Sequence, residues 1–248
     1  MSPAAWPAPP SEGAVDVWLA RPASLGDPRL VARWEGWLTP AEAARRRAFV
    51  RDVNRQEYLV TRALVRTMLS RLQATEPAAL RFATNPYGRP HLDPPCGVWF
   101  NLSNTTALVA CAVSRDGEVG VDVEPLDRGP DVVEVADTVF SPRELRELRA
   151  ITEPAARHDR ALDLWTLKES YIKARGMGLS LPLDRFSFVF DDPDAVAITI
   201  DPSLGDDPAR WRFRKVDVAG HRLAVCAPRV AGRELELRVH DVTAQLAG

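Results

Sequence analysis

The chain has 248 residues, enough to bury a substantial core as one large domain or two smaller ones. Apolar residues make up 46% and charged residues 27%, which is ordinary globular usage, and a net charge of −2 argues against a nucleic-acid binder. Three cysteines cannot all pair among themselves, and Cys111 and Cys226 stand in apolar runs and read as small buried hydrophobes.

MSPAAWPAPPSEG at the N-terminus has neither a basic region nor an apolar core. It reads as neither a signal peptide nor a membrane anchor, which predicts a cytoplasmic protein with no membrane partner. Its Pro and Ala content predicts a disordered tail over residues 1–13. A strand carrying Val15, Asp16 and Val17 comes next. TPAEAARRRA, 39–48, then places a hydroxyl at the N-cap, Pro at the first helical position and Glu at the third, a capping box. Arg45, Arg46 and Arg47 in that helix are either a solvated face or a clamp for a terminal phosphate. The helix RQEYLVTRALVRTMLSRL puts Tyr58, Ala63, Leu64 and Leu69 on a core stripe, with Arg55, Arg62 and Arg66 outside it as solubilising charges.

FATNPYGRPHL, 82–92, is a loop of restricted backbone marked by Asn85, Pro86, Gly88 and Pro90. FNLSNTT, 100–106, and the apolar strand LVACAV from Leu108 follow. In GEVGVDVEPLDR, 117–128, Val119, Val121 and Val123 alternate with Gly120, Asp122 and Glu124, a strand period. Asp122 and Glu124 therefore leave the same strand face, where two carboxylates repel unless a divalent cation joins them or water solvates them.

SPRELRELRA, 141–150, repeats the capping box and so starts another helix. DLWTLKESYIKARGMGLSLP, 163–182, is a helix stopped by Gly176 and Gly178. Trp165, Glu169 and Lys173 are four apart and share one face, and an exposed Glu169–Lys173 ion pair is the plainest account of them. Beyond Phe190, short apolar runs alternate with Pro, Gly and Asp turns, which predicts an antiparallel meander completing a second sheet. His91, His158, His221 and His240 are scattered and suggest no zinc site, and no P-loop is present.

Three pairs of segments recur in order. The capping boxes are 102 residues apart, the Val-Asp-Val strands 106, and LVACAV and LAVCAP 115. They imply two copies of one α+β unit related by a pseudo-twofold, an N-terminal half over 14–116 and a C-terminal half over 117–248, with a ligand cleft between them. The strand matching Asp122 and Glu124 carries Asp16 and Trp18, and Trp is no metal ligand. Any metal chemistry therefore belongs to the second half.

GVDVE (120–124) and WTLKESYIK (165–173), with Glu124 and Trp165 41 residues apart, resemble the paired motifs of the 4′-phosphopantetheinyl transferase superfamily, and GLSLPLDRFSF resembles its Sfp type. The resemblance implies a single-chain pseudodimer that acts as a monomer. It would move the 4′-phosphopantetheine arm of coenzyme A onto a serine of an apo acyl, peptidyl or aryl carrier protein, releasing 3′,5′-ADP. By the same resemblance Asp122, Glu124 and Glu169 would hold Mg2+. Lys168 and Lys173 would add charge at the phosphates, and Glu169 would act as base, directly or through a metal-bound water. A phosphate contact is implied near Arg45, and FSPRELREL, similar to the family's F-[ST]-x-x-E segment, implies a helix flanking the cleft. Arg89 and Pro90 match the segment lining the nucleotide end of coenzyme A, and Ser103 and Asn104 match its F-N-[IL]-S-H segment, with Asn104 where the family has histidine. Two other readings of the same residues are a metal-dependent phosphohydrolase and a non-catalytic carrier-docking domain.

Overall fold

In the computed structural model, residues 5–192 and 195–248 are described. Residues 1–4 of the expected tail and 193–194 of the expected meander lie outside them. The first half runs β1 (Ala14–Ala20), α1 (Pro28–Glu35), α2 (Pro40–Ala48), α3 (Asp52–Gln73), β2 (Phe82–Thr84), β3 (Pro90–Leu92), β4 (Trp99–Asn104) and β5 (Val109–Ser114). The second runs β6 (Gly120–Pro125), α4 (Gly129–Glu134), α5 (Ala136–Val139), α6 (Pro142–Ala150), α7 (Pro154–Arg175), β7 (Phe186–Asp192), β8 (Ala195–Ile200), β9 (Trp211–Val218) and β10 (His221–Pro228). β11 (Glu236–Asp241) and α8 (Thr243–Ala247) end the chain.

Each half is thus a strand, a set of helices closing on one of 22 residues, a short hairpin and a final strand pair. The sheets repeat as well: β1-β5-β4 in the first half and β6-β10-β9 in the second. Both capping boxes form, with the hydroxyls of Thr39 and Ser141 accepting from the N3 amides and Glu42 and Glu144 reaching back.

Period-two alternation builds the layers. Val15, Val17, Leu19, Ala110 and Ala112 of the first sheet meet Val121, Val123, Leu223, Val225 and Ala227 of the second in one apolar cluster. On the outer faces, Trp18, Cys111 and Val113 pack under α3, and Ala224 and Cys226 under α7. The result is helix, sheet, sheet, helix. Cys111 and Cys226 are buried, and burial pushes both thiols up.

The expected boundaries need three corrections. Residues 235–248 do not stay with the second half: β11 adds to the first sheet, parallel to β1, and Val242 and Leu246 join the first core. The meander does not complete one sheet, because β7 and β8 form a separate pair. Nor do residues 5–13 fray. Trp6 stacks on Trp18 at 5.3 Å, Pro10 is buried, and Gly13 N–H donates to Asp116 at 2.8 Å. Two aromatic faces in contact offset the chain entropy that the composition alone would favour. Arg66 differs too: it is buried, donating to Pro77 O, Leu80 O and the Glu42 carboxylate instead of to water.

Candidate active site

β4 of the first half runs beside β6 of the second without a backbone ladder. Side chains replace it: Val121 N–H donates to Asn101 Oδ1 at 3.1 Å and Val123 N–H to Ser103 Oγ at 3.2 Å. One face of β6 packs on the first sheet and the other lies under α7. Gly120 permits this, since a Cβ there would stand 1.9 Å from Ser170 O. Gly120, Asp122 and Glu124 share that face, so the two carboxylates point at the helix that carries Trp165, Glu169 and Lys173.

The helix face meets the strand face pair by pair. Trp165 Nε1 donates to Glu124 Oε1 at 2.9 Å, and Arg128 also binds that oxygen. Lys173 Nζ donates to Asp122 Oδ1 at 2.6 Å and to Ser103 Oγ at 3.0 Å. The exposed Glu169–Lys173 ion pair does not form, because the Lys173 ammonium turns to the buried Asp122 instead. Asp122 Oδ2 is buried and has no hydrogen-bond partner.

Glu169 lies between these contacts, with no cation at ion-pair distance among the described residues. Burial, and then the nearby Asp122 charge, push its carboxyl from 4.5 up to about 7 against the opposing pull of Lys173. Glu124 is also raised, by burial first and then by Asp122, with Trp165 and Arg128 opposing. Glu169 and Lys173 line a cavity of about 300 Å³ between the halves, walled on the other side by Tyr87, Gly88, Arg89, Pro90 and Asn101. A larger cavity of about 350 Å³ lies on the far side of Arg89 and is lined by none of the clustered carboxylates.

Several expected ligand residues do other work. Lys168 is not at the cleft. Its ammonium is buried against Glu144 at 2.8 Å and donates to Leu183 O and Phe186 O, so its donors are filled in the second core. The α6 segment around Glu144 belongs to that core rather than flanking the cleft, with Glu144 Oε1 accepting from Phe188 N–H. Ser103 is buried and donates its single hydroxyl hydrogen to Asp122 Oδ1 at 3.0 Å, leaving none for a phosphate. Arg89 donates to Ala174 O at 2.6 Å and Val119 O at 3.1 Å, so two of its N–H groups tie it to the second half while its side chain also lines both cavities. Asn104 is exposed and its amide donates to Glu57 Oε1. Arg45 is exposed on α2, its guanidinium 5.9 Å from the Tyr58 ring centre.

Sequence reasoning missed the roles of Trp165, Arg128 and Asn101. The four-residue spacing from Trp165 to Glu169 was the signal for the first, since it places the indole on the reactive face.

The family model described as 4′-phosphopantetheinyl transferase superfamily matches residues 118–226, the segment that holds Asp122, Glu124, Glu169 and Lys173. A 4′-phosphopantetheinyl transferase of Bacillus subtilis is 32% identical over 212 residues, covering 85% of this chain and 90% of its own. The 4′-phosphopantetheinyl transferase Sfp of Bacillus subtilis strain 168 is 31% identical over 211 residues, with the same coverage of 85% and 90%. A phosphopantetheinyl transferase of Thraustochytrium is 30% identical over 246 residues, covering 90% of this chain and 85% of its own. The likeness runs through both halves at nearly full length, and the chain belongs to the 4′-phosphopantetheinyl transferase superfamily.

Proposed function

We propose that this chain transfers the 4′-phosphopantetheine arm of coenzyme A to a serine of an apo carrier protein and releases 3′,5′-ADP. The observation that carries the reading is Glu169: a carboxyl held at about 7, on the wall of a cavity between the halves, beside a buried Asp122 and the Lys173 cation. At that wall its carboxylate can accept the proton of a hydroxyl entering the cavity. The serine hydroxyl gives its proton to Glu169, and its oxygen attacks the phosphorus nearest pantetheine. The bond from that phosphorus to the bridging oxygen breaks, and the electron pair leaves with 3′,5′-ADP. Lys173 supplies positive charge beside the phosphates.

Magnesium belongs to this reading as a proposal. Among the described residues no group of three acidic, His or Cys side chains stands ready to close on a cation. Lys173 and Arg128 neutralise Asp122 and Glu124 instead. The donor set nevertheless fits a hard cation in kind: among the described residues Asp122 Oδ2 is buried without a hydrogen-bond partner, and Glu169 stands at no ion-pair distance from a cation. Asp122, Glu124 and Glu169 would hold it, and when bound it would neutralise charge developing on the pyrophosphate.

The chain would act as a monomer in the cytoplasm, in keeping with three unpaired thiols. Among the described residues no helix is long and apolar enough to cross a membrane. The test is mass spectrometry of an apo carrier incubated with the protein, coenzyme A and magnesium. A gain of one phosphopantetheine supports transfer. Coenzyme A consumed without any carrier present would mean a phosphohydrolase, and no change in either would leave a docking domain. Asp122→Asn should abolish the gain.

A further inference from the structure

The hairpin loop between β2 and β3 is built around Asn85, whose Oδ1 accepts from Tyr87 N–H at 3.0 Å and Arg89 N–H at 2.9 Å. That turn aims two side chains across the boundary between the halves. Asn85 Nδ2 donates to Gly176 O at 2.7 Å, at the C-cap of α7. Arg89 donates to Ala174 O, in the last turn of α7, and to Val119 O, just before β6. α7 and β6 are the two elements that carry Glu169, Lys173, Asp122 and Glu124. One first-half loop therefore ties the end of one to the start of the other.

The fit is close. Gly176 has φ +63, and a Cβ there would lie 2.8 Å from Arg89 Cδ and 3.2 Å from Asn85 Nδ2. Arg89 is desolvated, and burial pulls its pKa down. A half-buried guanidinium that donates through both Nη atoms to two carbonyls acts as a strut, and its planar fork fixes the spacing of the carbonyls it bridges. The same side chain lines both cavities.

We propose that Arg89 and Asn85 are positioning residues: the loop of the first half sets the height of the α7 C-terminus over β6, and so holds Lys173 Nζ at Asp122 Oδ1. The inference rests on the transfer reading for its kinetic arm and on geometry alone for its structural arm. It differs from a ligand role for Arg89, because the side chain acts through main-chain carbonyls of the catalytic half.

Arg89→Met, Arg89→Lys and Asn85→Ala are compared with the wild type by calorimetric titration with coenzyme A, by kcat and KM for an apo carrier, and by crystallography. Arg89→Met should lower kcat at least tenfold while the Kd for coenzyme A stays within twofold. Arg89→Lys should recover part of the loss, since an ammonium reaches one carbonyl but does not bridge two. In the Arg89→Met crystal structure the Lys173 Nζ–Asp122 Oδ1 contact, 2.6 Å in the wild type, should open beyond hydrogen-bond distance. A tenfold weaker Kd with kcat intact would make Arg89 a ligand contact and overturn the proposal, as would unchanged kcat. Should Arg89→Met fail to fold, Asn85→Ala, which leaves Arg89 in place, should still lower kcat about threefold, and an unaltered kcat there sinks the idea. If the wild type transfers nothing, the functional reading fails separately, and the crystallographic distance alone decides the clamp.

Discussion

Lys173 Nζ stands 2.6 Å from Asp122 Oδ1, 51 residues away in the chain, and leaves its helix neighbour Glu169 without an ion-pair partner among the described residues. Asp122 is buried whereas Lys173 is a quarter exposed, so the ammonium goes where the desolvated charge needs it more. Glu169 is left crowded by negative charge, which raises its carboxyl to about 7.

Removing the cation exposes this dependence. Lys173→Ala leaves Asp122 buried without a counter-charge, a loss on the order of 3 kcal/mol. In magnesium-free buffer the variant should melt well below the wild type, and magnesium should restore most of the difference. Transfer should be at least tenfold slower at saturating carrier. Equal melting temperatures without magnesium would show the pair to be ornamental.

Glu169 gives a pH dependence with a definite sign. Its folded pKa, about 7, exceeds the ordinary 4.5. The folded state therefore keeps a proton that the unfolded chain gives up, so this contribution to stability is full below 4.5 and is lost as pH rises through 7. In metal-free protein, Glu169→Gln should be more stable than wild type at pH 8, on the order of 2 kcal/mol, and show no such gain at pH 4. Denaturant titrations at the two pH values measure it. A difference that does not change with pH would contradict the assigned environment.

Lys168 should behave oppositely to Lys173, although they stand in the same helix. It pairs with a fully buried Glu144, so Lys168→Met should cost about 3–5 kcal/mol with or without magnesium. The activity of the molecules that remain folded should match the wild type. Selective loss of coenzyme A binding in a stable Lys168→Met protein would return Lys168 to the site.

Gly120→Ala tests the approach of α7 to β6. With no room for a methyl group against Ser170 O, the helix must move off the strand, at a cost of about 3 kcal/mol or more. Both melting temperature and transfer should fall. A variant as stable and active as wild type would mean that helix and strand are less tightly apposed.

What the sequence determined by itself was local. Period two placed Asp122 and Glu124 on one strand face, four-residue spacing placed Trp165, Glu169 and Lys173 on one helix face, and two capping boxes announced the duplication. These are set within a few bonds, by the direction in which each Cβ leaves the backbone. What each side chain then meets is a property of space, and only the tertiary structure decided it. Lys168 and Lys173, both cationic and five residues apart, leave the helix about 140° apart, one toward Glu144 and one toward Asp122. Ser103, Arg89 and Asn85 look like ligand or turn residues until the second half closes on them and takes up their donors. β11 is a short strand like its neighbours, and nothing in its own residues shows that it returns to β1. Strand pairing and charge pairing both join residues distant in the chain, so the partner that wins is the one that packing brings near and deprives of water.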